Sequence, residues 1–326
     1  MTMQSFENNL ILDDPLRTRK TYSIDYMVLV NKTHKLSDDW EDELETVSMT
    51  NSVGVEVEVE KKTYDAYLKL KAELEKECVY VDIDSARRSI ADQHRIMDEF
   101  VEKYGKDYAL KTVATPGYSE HHSGLALDLY LITDGKDIVE NVDMIQCPKI
   151  WSKIREKLAN YGFILRYLDG KEHITGYGFE PWHIRYIDNV DTAKKIASKE
   201  ITFEEYLGTY TGGEVSIDYG TSEIYTEEEL KEAIIQIKCH FAFWGNVDLK
   251  SLRYAGDEIV TDEKLKWLNE INPDGEYTQA AKFLMAFHTP KEIGELIFNP
   301  DADYNNYHWW LARTAHSGWE IVTFGC

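Results

Sequence analysis

Two short stretches of the sequence contain residue types that can bind and use a metal ion. The first stretch contains His121 and, seven residues later, Asp128, and the second contains Glu180 and His183. Neutral imidazole and carboxylate groups are both good zinc ligands. Together the stretches supply His, Asp and His as three ligands, with one further carboxylate that could serve as a base for an activated water. This inventory predicts a catalytic zinc site with an open fourth position.

Each stretch by itself also has a plainer interpretation. Four leucines alternate along residues 125–131 and form a core face, so Asp128 stands on the opposite face, as it would on any half-solvated strand. On a regular strand Glu180 and His183 would face opposite ways, but Pro181 favours a local bend or bulge that could bring them together. Alternatively, the second stretch is a core tryptophan beside a hydrogen-bonded histidine and a surface glutamate.

Taken together, the stretches resemble the D-Ala-D-Ala metallopeptidases of the VanY, VanX and VanXY type. The family pattern SxHxxGxAxD followed by ExWH is complete here, as Ser119-Glu-His121-His-Ser-Gly124-Leu-Ala126-Leu-Asp128 and Glu180-Pro-Trp182-His183. Upstream, a third segment is similar to the family's S-G-Y-R-S-x-x-x-Q and reads Ser85-Ala-Arg-Arg88-Ser-Ile-Ala-Asp-Gln93. The resemblance covers residues 20–190.

The resemblance implies a role for each matching residue. His121, Asp128 and His183 match the Zn²⁺ ligands, and Glu180 matches the general base. The family pattern fixes on the first histidine of SxH, so we expect His122 either to support the site from behind or to face solvent.

The upstream segment supplies the implied substrate contacts. Arg88 matches the arginine that faces the scissile carbonyl, and Ser119 and Gln93 match positions near the terminal carboxylate of the substrate. The segment departs from the family at Ala86 and Arg87, where Gly and Tyr are usual, so Arg87 could compete with Arg88 for the same role.

Helices and strands alternate in mixed order, which predicts an α+β fold rather than a doubly wound α/β fold. The resemblance adds a central antiparallel sheet for the zinc-peptidase domain. Strands are predicted at 22–31 and 53–60, helices at 64–77, 89–104 and 148–162, then helices at 226–239 and 261–271 and a closing hairpin of 309–314 with 319–324.

A glycine-rich segment, residues 207–214, is the best linker candidate. We therefore predict a zinc D,D-peptidase domain at 1–206 and a C-terminal α+β module of unassigned function at 215–326. The tryptophans of this module form either a core or an exposed platform for a wall ligand.

Composition excludes several classes of protein. The 326 residues have a formal net charge of −23, and phosphate binding needs clustered Lys and Arg, so a nucleic-acid partner is not expected. No apolar run is long enough for a membrane span, and the start lacks the pattern of a secretory signal. We expect a cytoplasmic protein with reduced thiols, or one that faces the cell wall if a leader has been removed.

The function implied by the resemblance is zinc-dependent D,D-carboxypeptidase or D,D-dipeptidase activity. The substrate would be a peptidoglycan peptide ending in D-Ala-D-Ala, or the free dipeptide. Two alternatives stay open: an L-Ala-D-Glu-type endopeptidase with a wall-binding C-terminal module, and a non-catalytic zinc-binding interaction protein.

Overall fold

A computed structural model describes residues 24–106, 109, 113–133, 135–210, 212–244, 247–273, 275–292, 297–315 and 317–325. Within these residues the protein has two five-stranded β-sheets, each packed against helices, and a separate two-stranded antiparallel hairpin. Helices and mostly antiparallel strands are mixed along the chain, so the predicted α+β class is confirmed. Among the described residues, no helix is both long and apolar enough to cross a lipid bilayer.

The N-terminal half contains seven strands and seven α-helices within the described residues. The strands are β1 Thr46–Thr50, β2 Glu56–Glu60, β3 Tyr80–Ser85, β4 Ala126–Thr133, β5 Lys136–Ile138, β6 Phe163–Tyr167 and β7 Glu180–Tyr186. The helices are α1 Lys61–Lys76, α2 Ile90–Tyr104, α3 Asn141–Met144, α4 Pro148–Leu158, α5 Glu172–Thr175, α6 Val190–Lys199 and α7 Phe203–Leu207.

The main sheet of this half is antiparallel, in the order β3-β4-β7-β6, with β5 beside β4. The predicted core face of β4 is confirmed, because the four leucines from Leu125 to Leu131 are fully buried. Leu127, Leu129 and Leu131 share a core with Leu70 of α1 and Trp151 of α4. Asp128 stands on the other face of β4, where it is the direct cross-strand neighbour of His183 on β7.

The predicted helices are confirmed, with ends that the sequence explains. For α2, the Ser89 hydroxyl accepts a hydrogen bond from the backbone N–H of Asp92 and Gly105 ends the helix; Pro148 lies in the first turn of α4. The strand predicted at 22–31 is wrong for its described part, since residues 24–31 form no strand. The carbonyls of this segment instead accept hydrogen bonds from a buried side chain, Arg185.

The C-terminal half is a second sheet with its own core. Its described elements are β8 Ser216–Asp218, α8 Glu227–Phe241, a 3-10 turn Ala242–Trp244, β9 Asp248–Tyr254, α9 Asp262–Ile271, β10 Gln279–His288, β11 Asp303–Arg313 and β12 Glu320–Gly325. The strand order is β12-β11-β10-β9-β8, with β8 and β9 parallel. Both predicted helices and the closing hairpin are present, while β8, β9 and β10 were not predicted.

The tryptophans of the C-terminal half pack mainly in its interior. Trp309 is fully buried between α8 and the sheet, and Trp310 packs against α9 on the other face. The cores of the two halves lie on either side of residues 207–214. This separation supports the predicted domain boundary, which stays a prediction. The three cysteines among the described residues are free thiols, and Cys326 lies outside them.

Candidate metal centre and cleft

Three side chains converge on one point at the edge of the main sheet. The Nε2 atom of His121 lies 3.1 Å from one carboxylate oxygen of Asp128, and the Nδ1 atom of His183 lies 3.0 Å from the other. One ligand atom from each residue lies within 4.8 Å of the others. In a tetrahedral site with zinc–ligand bonds of about 2.0–2.1 Å, ligand atoms are about 3.3 Å apart. The two histidine–carboxylate distances are close to this value, so the three predicted ligands lie near enough to one another to hold one zinc ion.

A tight turn places His121 next to strands β4 and β7. His121 lies on a 3-10 turn, Glu120–Ser123, that ends at Gly124 with φ of +73°. A Cβ at this glycine would lie 3.2 Å from the Cβ of Glu60, so both the backbone conformation and the close approach favour glycine. The glycine lets the chain reverse directly into β4, which carries Asp128.

A bulge in β7 brings Glu180 to the same site as His183. Ile184 pairs with Leu165 and Glu180 pairs with Tyr167, so four steps along β7 oppose two steps along β6. The irregularity expected at Pro181 is thus present. It places a carboxylate oxygen of Glu180 3.7 Å from Nδ1 of His183.

The remaining polar atoms of the ligands fit a cation. Nδ1 of His121 lies 2.7 Å from the carbonyl oxygen of Ala86, and Nε2 of His183 lies 3.1 Å from a carboxylate oxygen of Glu120. Each ring therefore has its second nitrogen directed toward the shared point, as in metal-binding histidines. One buried carboxylate oxygen of Asp128 has no hydrogen bond of good geometry from the described residues.

A buried ionic network behind the site was missed by sequence reasoning. Glu120 accepts hydrogen bonds at 2.8 Å from both Arg166 and Arg185, and Arg166 forms a two-pronged pair with Glu204 at 2.7 and 2.9 Å. Glu120, Arg166 and Arg185 have fully buried side chains. An arginine inside a buried strand is a signal that could have been used, because a buried charge requires a partner.

Burial and neighbouring charges shift the pKa values of Glu180, His121 and His183. Burial raises the pKa of Glu180 to about 7. Burial, together with the nearby Arg88 guanidinium, lowers the pKa of His121 to about 4. Burial would also lower the pKa of His183, but the carboxylates of Asp128 and Glu120 raise it to about 9. A cation at this point would replace a proton on His183.

Arg88 is held beside the ligands from several sides. Its backbone N–H donates to the carbonyl of His121, and its own carbonyl lies 2.8 Å from Nδ1 of His122. Its guanidinium donates to the side-chain oxygen of Gln93 at 3.2 Å and lies 3.7 Å from Asp128. His122 is buried and supports Arg88, so the solvent-facing alternative for His122 is wrong.

The other predicted contacts take different places. Gln93 is fully buried and also donates to the carbonyl of Ala114 at 2.8 Å, so it holds Arg88 rather than lining the cleft. The predicted contact between Gln93 and substrate stays a prediction, and Gln93 is not among the residues that line the cleft described below. Arg87 points away and pairs with Glu41 at 2.8 Å and with Glu58.

A cleft of about 270 Å³ opens over the metal centre. Ser119, Arg88 and Glu180 line it together with the three ligands, so most of the predicted site shares one cavity. The other lining residues are Ile96, Phe100, Val113, Ala114, Glu120, Asn141, Tyr167, Tyr177 and Trp182.

Two histidines and an aspartate around one point, with a further carboxylate and an arginine in the same small cleft, are the groups that a zinc metallopeptidase could use. Comparisons with known proteins point to the same class. A sequence profile for VanY, described as D-alanyl-D-alanine carboxypeptidase, matches residues 56–189. The bifunctional D-Ala-D-Ala dipeptidase and D-Ala-D-Ala carboxypeptidase VanXYC of Enterococcus gallinarum is 32% identical over 183 residues, which cover 55% of this chain and 91% of that protein. The chain therefore belongs to the VanY family of D-alanyl-D-alanine carboxypeptidases.

Two further proteins are similar. YodJ of Bacillus subtilis (strain 168), named as a carboxypeptidase, is 33% identical over 185 residues, covering 56% of this chain and 66% of YodJ. The match thus spans just under two thirds of YodJ. A solved vancomycin resistance D,D-pentapeptidase VanY, in complex with Zn(II), is 30% identical with a TM-score of 0.47, covering 56% of this chain and 98% of that chain.

Proposed function

We propose that the protein is a zinc-dependent D,D-carboxypeptidase or D,D-dipeptidase that cleaves D-Ala-D-Ala-type termini of peptidoglycan peptides. The observation that carries this proposal is the convergence of His121, Asp128 and His183, with Glu180 and Arg88 facing the same cleft. The cleft volume of about 270 Å³ lies just below the roughly 300–1,000 Å³ usual for small-molecule sites. A cleft of this size suits the end of a peptide better than a folded or branched substrate.

The mechanism follows from where the side chains stand. A zinc ion held by the three ligands would activate water and polarise the scissile carbonyl. Glu180, in the same cleft as the proposed ligands, can accept the proton of the attacking water and later donate it to the leaving amine. Arg88 can donate hydrogen bonds to the carbonyl oxygen as negative charge develops there. Ser119 also lines the cleft, and we propose that it contacts the terminal carboxylate of the substrate.

The presence of Glu180 and Arg88 in the cleft argues against a purely binding role, since holding zinc needs neither. No observation favours the endopeptidase alternative over cleavage at a D,D terminus. The cytoplasmic compartment expected from the sequence stays a prediction.

Mass-spectrometric product analysis tests the proposal. The zinc-loaded protein is incubated with a muramyl pentapeptide ending in D-Ala-D-Ala, the free D-Ala-D-Ala dipeptide and an intact muropeptide, with the Glu180→Ala variant as control. We expect loss of terminal D-Ala from the pentapeptide, cleavage of the dipeptide, or both, and neither in the control. Cleavage only at an L-Ala-D-Glu bond would replace the proposal with the endopeptidase, and no product from any substrate would support a binding protein.

A further inference from the structure

The C-terminal half contacts the segment that leads into the cleft. Helix α8 packs against the short helix α5, and α5 is followed directly by Tyr177 and Glu180. The ammonium group of Lys238 on α8 donates to a carboxylate oxygen of Glu172 at 2.7 Å and to the carbonyl of Gly170 at 2.9 Å. The side chains of Lys238 and Glu172 are only 7% and 1% exposed. A buried ion pair thus joins the two halves at the start of this segment.

A second set of contacts packs around the end of α5. The Lys32 ammonium lies 4.5 Å from the ring centroid of Tyr177 and 4.6 Å from that of Phe243, which follows α8. At Gly176, with φ of +76°, an added Cβ would lie 2.6 Å from Cδ of Lys32 and 3.2 Å from the Cβ of Ala242. The turn is therefore enclosed between the N-terminal segment and the C-terminal half, with no space for a side chain.

Ring contacts continue from this turn to the metal centre. The Tyr177 ring centroid is 4.7 Å from that of Tyr167, and the Tyr167 ring is 4.6 Å from the ring of His183. Both tyrosines line the cleft. A shift of the turn would therefore move the wall of the cleft and press on a metal ligand.

We infer that the C-terminal half positions the segment 172–180 of the cleft, through the buried Lys238–Glu172 pair and through Lys32 between Tyr177 and Phe243. The effect of this positioning on catalysis rests on the proposed function. None of these residues touches the reacting atoms, so they are positioning residues. Small displacements of a catalytic group are expensive, since a shift of about 1 Å can cost on the order of 10²-fold in rate.

Hydrogen–deuterium exchange of the full chain tests this positioning without any substrate. The variants are Lys238→Met and Lys32→Met. The matched control is Lys231→Met, because Lys231 on the same helix α8 also reaches across to the N-terminal half, 3.6 Å from Asp169, but with both side chains exposed. We expect amides of 172–180 to exchange about ten-fold faster or more in the two variants than in the control, while amides of β4 keep their protection.

A double variant, Glu172→Gln with Lys238→Gln, serves if Lys238→Met fails to fold, because it leaves no unpaired buried charge. We expect faster exchange over 172–180 in this protein too. In the active enzyme, the variants should lower kcat by about ten- to a hundred-fold with KM within about two-fold. Equal exchange over 172–180 in the control and in all the folded variants would overturn the inference, even if the protein cleaves D,D termini. Faster exchange in a protein without activity would support the positioning and contradict only the proposed function.

Discussion

Arg88 is directed at the metal centre by its neighbours rather than by its own conformational preference. Its backbone is fixed by His121 and His122 on the turn, and Gln93 accepts from its guanidinium. Arg87, one residue earlier, is held away by Glu58 and Glu41. From the sequence alone, either arginine could face the scissile carbonyl. Partners that are distant along the chain direct Arg88 into the cleft and Arg87 away from it.

Replacing each arginine separately tests this assignment. We expect Arg88→Ala to reduce kcat by about 10²–10³ with zinc content unchanged, because a donor to developing charge acts mainly in the transition state. Arg87→Ala should leave kcat nearly unchanged and lower the free energy of unfolding by about 1 kcal/mol at most, since its ion pairs are partly exposed. Steady-state kinetics and denaturant unfolding provide both values, and a large kcat loss only in Arg87→Ala would reverse the assignment.

We propose that Glu180 acts as a base rather than as a metal ligand. It lies 3.7 Å from His183, farther than the ligand carboxylate of Asp128. We expect Glu180→Ala to retain zinc and fold while losing about 10²–10⁴ in rate, the usual contribution of a positioned acid–base group. Zinc content and kcat are measured on the same preparation, and loss of zinc would show that Glu180 is a ligand.

At the scale of elements, two neighbouring strands and one turn assemble the site. The ligand pair on β4 and β7 could be expected from the sequence, because alternation fixes which face of β4 carries Asp128. The cross-strand register that puts His183 beside it could not, since it depends on pairing between strands about 50 residues apart. The network of Glu120 with Arg166 and Arg185 was missed for the same reason, although two arginines in buried strands were visible in the sequence.

A carboxylate oxygen of Glu120 lies 3.1 Å from Nε2 of His183, a proposed metal ligand, so replacing Glu120 should affect zinc affinity. We expect Glu120→Gln to weaken zinc binding by about 10–100-fold, the usual effect of losing a carboxylate partner of a ligating histidine. Glu60→Gln is the matched control, because Glu60 is also buried but caps helix α1 instead. Competition with a chromogenic chelator measures both affinities, and equal affinities in the two variants would contradict this role.

At the scale of the whole molecule, local patterns predicted the helices and the closing hairpin but not the C-terminal sheet. Strands β9 and β10 pair with neighbours on both sides. Buried and half-buried positions alternate along β10 from Phe283 to His288, but the nearly continuous apolar sequence of 283–287 hides that alternation. The prediction of a strand at 22–31 was wrong because tertiary contacts decide the conformation of this segment. Arg185 donates hydrogen bonds to the carbonyls of Tyr26 and Val28, which a neighbouring strand would need as acceptors. The contact between α8 and α5 was also beyond sequence reasoning, which treated the C-terminal part as separate.

The central claim is that His121, Asp128 and His183 together hold one zinc ion for hydrolysis. Zinc per chain, measured by elemental mass spectrometry after removal of loosely bound metal, tests it most directly. We predict one zinc ion in the unmodified protein and in Glu180→Ala, and loss of zinc in His121→Ala, Asp128→Ala and His183→Ala, because each removes one of only three protein ligands. Full zinc content in any two of the three ligand variants would contradict the account.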